Sequence, residues 1–337
     1  MTLASQPASA SRADAPTPAP LLSIRNLSLG FDKDGAFLPA VENVSLDLAA
    51  GETLCLVGES GSGKSITALS IARLLPTPPA RYTGGEILLR GRDVLRMNAA
   101  ELRRIRGGVV SYVFQEPSAS LNPVMPVGRQ ILESLALHRP DAANDGEVIR
   151  LLQLVGIPAP ESRLKDHPHQ LSGGMQQRIM LAIALASQPA LLIADEPTTA
   201  LDVTIQAQII ELLRELKQTL GMSILLITHN LGIVGDLADH VAVMYAGQIV
   251  ETGPAREILN RPLHPYTRAL MNSVPQIGAN TERLTAIGGA VPQPGAWPAG
   301  CAFHPRCPKA QPACAANAPE LLEATVSRSV RCPLWPT

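Results

Sequence analysis

The sequence predicts an α/β protein with a mainly parallel sheet, an all-helical insert and a small C-terminal module of different composition. Short apolar strands alternate with helical segments, and one glycine-rich turn joins a strand to a helix. Strand patterns vanish between residues 116 and 188, where helical patterns such as 127–137 and 147–155 take over. We therefore expect an α/β domain at 21–274 that contains a helical insert at about 116–189.

The predicted core alternates between the two element types in chain order. Its strands are predicted at residues 22–29, 44–48, 53–57, 86–89, 109–114, 191–194, 223–227 and 240–245. Its main helices are predicted at residues 65–74, 175–186 and 203–220. Short buried strands separated by helices are typical of a parallel sheet covered on both faces.

Charge and hydropathy exclude several classes of protein. Lys and Arg total 28 against 29 Asp and Glu, so the net charge of −1 argues against a dedicated nucleic-acid binder. The clearest apolar run, at 179–186, is too short to span a bilayer. Residues 1–20 are rich in Ala, Ser and Pro without an apolar stretch, which predicts a disordered leader rather than a secretory signal. We expect a soluble intracellular protein.

The C-terminal tail, residues 275–337, differs from the middle of the chain. Four of the five cysteines lie in the last 37 residues, and 14 of the 30 prolines lie in 1–20 and 275–337 together. Such a segment predicts a small, loop-rich module that needs help beyond its own short helices and strands to be stable.

The glycine-rich turn at 58–65 fits the phosphate-binding loop pattern G-x4-G-K-[ST]. Its backbone N–H groups can surround a polyphosphate at the positive end of the following helix. Lys64 is expected to reach the β- and γ-phosphates, and the Ser65 hydroxyl to bind Mg²⁺. The residues expected to contact ATP here are Gly58, Ser60, Gly61, Gly63, Lys64, Ser65 and Ile66.

Two acids, Asp195 and Glu196, end the apolar strand at 191–194. A carboxylate at a strand end beside a phosphate loop can hold Mg²⁺ or its water, which is the expected role of Asp195. Glu196 is then placed to polarise the attacking water, so hydrolysis is expected. Taken alone, an Asp-Glu pair would better suit a helix N-terminus, which favours anions.

A second anion site is predicted at 171–178, Leu-Ser-Gly-Gly-Met-Gln-Gln-Arg, just before a long helix. Ser172 suits the N-cap, and the Gly-Gly pair exposes backbone N–H groups. One nucleotide does not need two phosphate sites on one chain, which suggests that this one serves the nucleotide of another chain. The segment resembles the signature motif of ABC-type ATPases, which form head-to-tail dimers in which each signature covers the ATP of the other subunit.

The resemblance implies roles for further residues. Gln115 resembles the Q-loop glutamine that senses Mg²⁺ and water, and His229 the switch histidine that contacts the γ-phosphate. Residues 200–202, Ala-Leu-Asp, resemble the D-loop, which adds Asp202 to the expected nucleotide contacts together with Ser172 and Gly174. Phe31 is the expected adenine-stacking aromatic, and Phe37 is the alternative because the stretch 32–36 resembles an insertion.

Longer segments at 114–123, 194–208, 264–270 and 301–308 resemble the ATPases of dipeptide and oligopeptide importers. The resemblance implies a second, different ATPase subunit, two permease subunits, an extracytoplasmic peptide-binding protein, and a position at the cytoplasmic face of the inner membrane. Nickel and other small-solute importers share the tail, so the cargo stays open. A soluble ABC ATPase without a permease, or a regulatory subunit that senses iron or redox state, are further alternatives.

The tail cysteines, Cys301, Cys307, Cys314 and Cys332, are candidate metal ligands. Their spacing, C-x5-C-x6-C-x17-C, fits neither the usual zinc-finger nor the common ferredoxin pattern, and four thiols in an intracellular chain favour a metal site over disulfides. Some members of the resembled subfamily carry a [4Fe-4S] cluster here, which is the expectation, with zinc and free thiols as alternatives. Cys55, in the strand before the phosphate loop, is expected only to pack.

Overall fold

The computed structural model describes residues 19–199, 201–273 and 287–335. The predicted leader, except for its last two residues, therefore lies outside the described residues, as do Ala200 of the predicted D-loop and the boundary at 274/275. The division of the chain at that boundary remains a prediction.

The strands follow the predicted order and add several that the sequence did not indicate. They are β1 (Leu22–Lys33), β2 (Ala36–Leu48), β3 (Thr53–Val57), β4 (Ala80–Leu89), β5 (Arg92–Asp93), β6 (Val110–Val113), β7 (Leu191–Asp195), β8 (Ser223–Thr228), β9 (His240–Tyr245), β10 (Gln248–Pro254), β11 (Leu322–Thr325) and β12 (Arg328–Val330). The first two are longer than predicted, because β1 and β2 continue into a hairpin.

The helices fall in three groups, one in the core, one in the insert and one near the C-terminus. They are α1 (Lys64–Ser70), α2 (Ala99–Ile105), α3 (Pro117–Ser120), α4 (Val127–His138), α5 (Asp145–Leu154), α6 (Pro160–Arg163), α7 (Gly173–Leu185), α8 (Val203–Leu220), α9 (Val234–Leu237), α10 (Ala255–Asn260), α11 (Pro265–Asn272) and α12 (Pro312–Ala316). Between β6 and β7 the described chain forms only helices and loops, as predicted.

Two sheets organise the core. The larger has the strand order β11-β12-β10-β9-β3-β8-β7-β6, in which the neighbours from β9 to β6 are parallel. The smaller is antiparallel, with the order β2-β1-β4-β5. The predicted mainly parallel α/β sheet is confirmed, and its strand order places β3 at its centre.

The central strands are apolar along their whole length because both faces are buried. In β3, Cys55 and Val57 pack into the core beside the helices of the insert, whereas Leu54 and Leu56 pack into the core beneath the antiparallel sheet. Alternate side chains of a strand point to opposite faces, so a strand between two cores has no polar face. Cys55 is fully buried, in agreement with its expected packing role.

The stretch 32–36, which resembles an insertion, is a tight hairpin. Lys33 pairs with Ala36, and the two residues between them, Asp34 and Gly35, have φ angles of 52° and 78°. Positive φ at both positions is the geometry of a two-residue hairpin turn, which Asp-Gly favours.

The C-terminal tail joins the large sheet. Strand β12 pairs with β10 through Glu251↔Val330 and Thr252↔Ser329, and β11 pairs with β12. The sequence predicts that the tail is a unit outside the α/β domain. The structure attaches its described part to the core, because the free edge of β10 offers main-chain hydrogen bonds to β12.

A buried ion pair holds this junction. Glu251 is fully buried and accepts hydrogen bonds from Arg328 and from the backbone N–H groups of Leu263 and His264, both at 2.9 Å. One carboxylate therefore ties β10, the segment before α11 and the tail together.

Within the described ranges of the chain, no helix is both long enough and apolar enough to cross a membrane.

Replacing Glu251 by Gln will lower the free energy of unfolding by about 3 kcal/mol, because a neutral amide leaves the buried Arg328 without a counter-charge. Urea unfolding followed by circular dichroism measures the change. Glu323→Gln, at an exposed position of β11, is the control and should stay within about 0.5 kcal/mol of the parent chain. Equal stability of Glu251→Gln and Glu323→Gln would contradict the assignment.

Candidate functional site

The loop at 58–65 connects β3 to α1 as the sequence predicted. A Cβ at Gly58 would lie 2.2 Å from the Met244 carbonyl oxygen, and Gly63, the N-cap of α1, has a φ of 104°. Both positions therefore require glycine, one for close approach and the other for its backbone conformation. The result is a tight glycine-rich turn at the start of a helix, which suits a phosphate chain.

Lys64 is buried beneath this loop. Its Nζ donates to the carbonyl oxygens of Gly58 at 2.8 Å and Glu59 at 2.9 Å. Burial lowers the pKa of its ammonium group, and the nearby carboxylates of Glu196 and Asp195 oppose that shift. A cation poised among carbonyl oxygens is placed to bind the anionic phosphates that the loop would receive.

Asp195 ends β7 next to the loop, and its side chain has an incomplete set of partners. Burial raises the pKa of this carboxyl group, and a hydrogen bond from Ser65 opposes the rise. Its buried Oδ1 atom has no hydrogen-bond partner among the described residues. A hydroxyl and an unpartnered carboxylate oxygen are hard donors, so this pair fits a Mg²⁺ ion bound with the phosphates.

Glu196 lies at the centre of a polar cluster. It has a φ of 46°, an uncommon conformation for a non-glycine residue. Its carboxylate accepts hydrogen bonds from Gln115 at 3.1 Å and from Thr199 at 2.8 Å, and its Oε1 lies 3.2 Å from Nδ1 of His229. The predicted residues Gln115, Glu196 and His229 are therefore together.

Strand order explains why these residues meet. Gln115 follows β6, Glu196 follows β7 and His229 follows β8, and these three strands are parallel neighbours in the sheet. The carboxyl ends of parallel strands share one edge, where α/β proteins bind their ligands. The phosphate loop follows β3, the next strand in the same sheet.

The loop and the polar cluster line one open cavity of about 990 Å³. The predicted residues that line it are Ser60, Gly61, Gly63, Lys64, Ser65, Ile66, Gln115, Glu196 and His229. Its remaining lining comes from residues that the sequence analysis did not single out, namely Glu59, Thr199, Leu270, Ser273, Ile287, Gly289, Ala290, Val291 and Pro294.

The predicted contacts Gly58 and Asp195 do not line this cavity, and neither do Ser172, Gly174 and Asp202 of the signature and D-loop segments. In this chain Ser172 caps α7 and accepts a hydrogen bond from the Met175 N–H at 3.4 Å. Asp202 caps α8 and accepts one from the Ile205 N–H at 2.9 Å. Gly174 packs against α8, where an added Cβ would lie 2.9 Å from Ile205. In this chain these last three residues therefore cap and pack helices, and their contact with a nucleotide stays a prediction.

The two aromatic candidates also lie away from this cavity. Phe31 pairs with Leu38 and Ala80 in the antiparallel sheet and is half-buried against its core. Phe37 lies beneath the Arg81 guanidinium, whose Cζ is 4.3 Å from the centroid of the Phe37 ring. The choice of Phe31 for adenine stacking stays a prediction, as does its alternative.

The residues that sequence reasoning missed fall in two groups. Thr199 lies three residues after Glu196 in the same turn. Its closeness in sequence to Asp195 and Glu196 could have marked it as a candidate site residue. Ile287 and its neighbours carried no signal, because only tertiary folding brings the tail against the phosphate loop. Glu59 is a variable position of the loop pattern, which gives no reason to single it out.

A second cavity, of about 280 Å³, is lined by all four tail cysteines and by His304. Burial raises the pKa of the Cys301, Cys307 and Cys332 thiols, and neighbouring thiols of the set add to the rise. In residues 19–199, 201–273 and 287–335, no three or more His, Cys, Asp or Glu side chains form a group that could hold a metal ion. The four thiols thus line the same cavity.

Comparison with known families matches two parts of the chain. A family model described as ABC transporter matches residues 41–199. A second, described as Oligopeptide/dipeptide transporter, C-terminal region, matches residues 250–314, which include three of the four tail cysteines.

Full-length relatives are similar over nearly the whole chain. The Oligopeptide transport ATP-binding protein AppD of Bacillus subtilis is 48% identical over 317 residues, covering 94% of this chain and 97% of its own length. The Dipeptide transport ATP-binding protein DppD of the same organism is 48% identical over 314 residues, covering 93% and 94%.

Among solved structures, the ATP-binding cassette MJ0796, a dimer in a post-hydrolysis state with ADP and Pi, is similar with a TM-score of 0.61 and 26% identity. The match covers 70% of this chain and 99% of that chain.

Replacing Thr199 by Val will lower kcat for ATP hydrolysis by about tenfold with KM within about twofold, because Glu196 loses the hydroxyl that orients it. Steady-state phosphate release measures both constants. Thr199→Ser keeps the hydroxyl and should retain the parent kcat. A Thr199→Val variant as fast as Thr199→Ser would show that the contact plays no part in turnover.

Proposed function

The chain belongs to the ATP-binding proteins of ABC transporters, and from this premise we propose that it hydrolyses ATP to energise the import of di- and oligopeptides. The observation that carries the proposal is the Glu196 carboxylate, held among Gln115, Thr199 and His229 in the cavity that the phosphate loop lines.

The phosphate loop binds the triphosphate of ATP in this proposal. The N–H groups of residues 60–65 surround the phosphates, and Lys64 turns from loop carbonyl oxygens to the β- and γ-phosphates. Ser65 and Asp195 would hold Mg²⁺, which reduces the negative charge on the phosphates when it is bound.

Water is activated by the cluster at the ends of β6, β7 and β8. Glu196 accepts a hydrogen bond from the attacking water, and Gln115 and Thr199 fix the direction of its carboxylate. His229 is half-exposed beside Glu196, where it can donate to the γ-phosphate as charge develops there.

Two ATPase subunits close over the nucleotides. Ser172, Gly174 and Asp202 lie outside the cavity of their own chain, which supports a site completed by the partner's signature segment. The N-terminus of α7 would then face the γ-phosphate of the partner's ATP. We expect the partner to be a different ATPase subunit of the same family.

The other partners are two permease subunits and an extracytoplasmic peptide-binding protein. The permease would hold this chain at the cytoplasmic face of the inner membrane. Phe114, just before Gln115, and Val124, in the loop before α4, are exposed and offer apolar surface for a permease helix. No nucleic-acid partner is expected.

Related cargos and a permease-free ATPase are the alternatives. A nickel or other small-solute importer would use the same cavity, since the solute meets the permease and its binding protein. Uptake assays with the permeases encoded by neighbouring genes will show which of these solutes is imported. Co-purification of the chain with a permease will distinguish any importer from a soluble ABC ATPase.

We further propose that the tail thiols hold a [4Fe-4S] cluster. A zinc ion bound by four thiolates at 2.3 Å would draw the sulfur atoms to within about 4 Å of one another. By contrast, a cluster gives each thiolate its own iron, and the four thiols line one cavity of about 280 Å³. When bound, the cluster cross-links Cys301, Cys307, Cys314 and Cys332, while zinc and free thiols remain alternatives.

Glu196→Gln will lower ATP turnover by at least about 100-fold in the assembled transporter while ATP binding persists, because the amide cannot accept the proton of water. Phosphate release measures turnover, and equilibrium dialysis measures binding. The control is Glu215→Gln, on the exposed face of α8, which should leave both unchanged. Full turnover in Glu196→Gln would refute the assigned role.

Anaerobically purified protein will be brown, with about four iron and four sulfide per chain and broad visible absorbance. Cys314→Ser should lose the iron, whereas Cys55→Ala should keep it because Cys55 lies in the sheet core. A colourless, iron-free preparation with one zinc per chain would replace the cluster by a zinc site.

A further inference from the structure

The tail reaches the phosphate loop through one arginine. Arg306, next to Cys307, donates from Nη1 to Oε2 of Glu59 at 2.8 Å and from Nη2 to Oε1 at 2.9 Å. The Arg306 side chain is 6% exposed, and that of Glu59 is 29% exposed. A two-pronged pair with a buried guanidinium has a fixed geometry, in contrast to an ordinary surface ion pair.

Arg306 also holds the wall of the nucleotide cavity that the tail supplies. Its Nε donates to the Gly288 carbonyl oxygen at 2.7 Å, and its Nη2 to that of Ile287 at 3.3 Å. Ile287 lines the same cavity as Glu59. One side chain therefore joins two walls of the cavity that lie far apart in sequence.

Glu59 is in direct contact with the phosphate-binding lysine. Its carbonyl oxygen accepts from Nζ of Lys64 at 2.9 Å, and its N–H donates to the Tyr266 hydroxyl at 2.9 Å. A shift of Glu59 would therefore move the carbonyl oxygen that accepts the hydrogen bond from Lys64.

A cluster of three aromatic side chains packs against the Arg306–Glu59 pair. Arg306 donates to the Tyr245 hydroxyl at 3.3 Å, and the Tyr245 ring packs edge-on against Tyr266 and Phe303, with centroids 4.6 and 5.2 Å away. All three rings are nearly inaccessible to solvent. This rigid base limits how far Arg306 and Glu59 can move.

Charge explains why the pairing matters. Glu59 places a carboxylate in the lining of a cavity that receives a polyanion, and an unpaired carboxylate there would repel phosphate. Arg306 engages both of its oxygens and compensates its charge.

We propose that Arg306 is a positioning residue for nucleotide binding. It neutralises the Glu59 carboxylate and thereby holds the phosphate loop in place, and it anchors residues 287–288 in the wall of the cavity that the tail supplies. The affinity of the chain for ATP is therefore set in part by its C-terminal tail. This inference rests on the proposed nucleotide site.

The test measures ATP affinity of the full-length chain by equilibrium dialysis with Mg²⁺, beside the thermal midpoint. Arg306→Gln should raise the Kd for ATP about tenfold, the scale of one lost charge-assisted pair. In the double variant Arg306→Gln/Glu59→Gln the repelling carboxylate is gone, so the Kd should return to within about threefold of the parent value. In the assembled transporter, KM should follow the Kd, with kcat within about twofold.

Arg328 supplies the matched control, since it also pairs with a buried glutamate between tail and core, away from the phosphate loop. Arg328→Gln should lower the thermal midpoint and leave the Kd for ATP within about twofold. Arg306→Lys keeps the charge but not the two-pronged geometry and should raise the Kd about threefold, which provides the test if Arg306→Gln does not fold.

Three results would overturn the proposal: a parent-like Kd in the Arg306 variants, an equal rise in Arg328→Gln, or a double variant that binds ATP no better than Arg306→Gln. Lys64→Ala separates this failure from that of the nucleotide site. If the parent chain does not bind ATP, or if its ATP binding survives Lys64→Ala, the proposed nucleotide site is wrong. If it does bind and Arg306 has no effect, only the role of Arg306 fails.

Discussion

The parallel pairing of β3, β8, β7 and β6 is the constraint on which the rest of the molecule depends. Strands β3, β8 and β7 are almost entirely buried, so their register is fixed by the two cores that they separate. Fixed register brings the ends of four strands to one edge. The phosphate loop, Gln115, Glu196 and His229 are neighbours for that reason, although up to about 170 residues separate them in sequence.

The helical insert and the tail use this edge in different ways. The insert carries Ser172 and Gly174 away from the cavity of its own chain, and Gly174 of α7 packs closely against Ile205 of α8. The tail turns back toward the cavity and supplies one of its walls. One side of the proposed ATP site is therefore left for a second chain, while another is closed by the chain's own C-terminus.

Two arginine–glutamate pairs attach the tail, and their positions give them different consequences. Arg328 and Glu251 join strands, so their loss concerns stability. Arg306 and Glu59 join the neighbourhood of the thiol cavity to the phosphate loop, so their loss concerns the ligand. The buried side chains of Arg306, Arg328 and Glu251 carry charges that would be costly without a partner. The thiol-lined cavity and the nucleotide cavity thus belong to one connected arrangement of side chains.

By itself, the sequence determined the α/β class, the helical insert, the phosphate loop and the residues that end β6, β7 and β8, because strand periodicity and loop chemistry are local properties. It also indicated that Ser172 needs a second chain, since one nucleotide does not require two phosphate sites. Only the folded chain shows that the tail extends the large sheet, that Thr199 donates a hydrogen bond to Glu196 and that Arg306 pairs with Glu59. Those facts depend on contacts between distant segments, which no local pattern encodes.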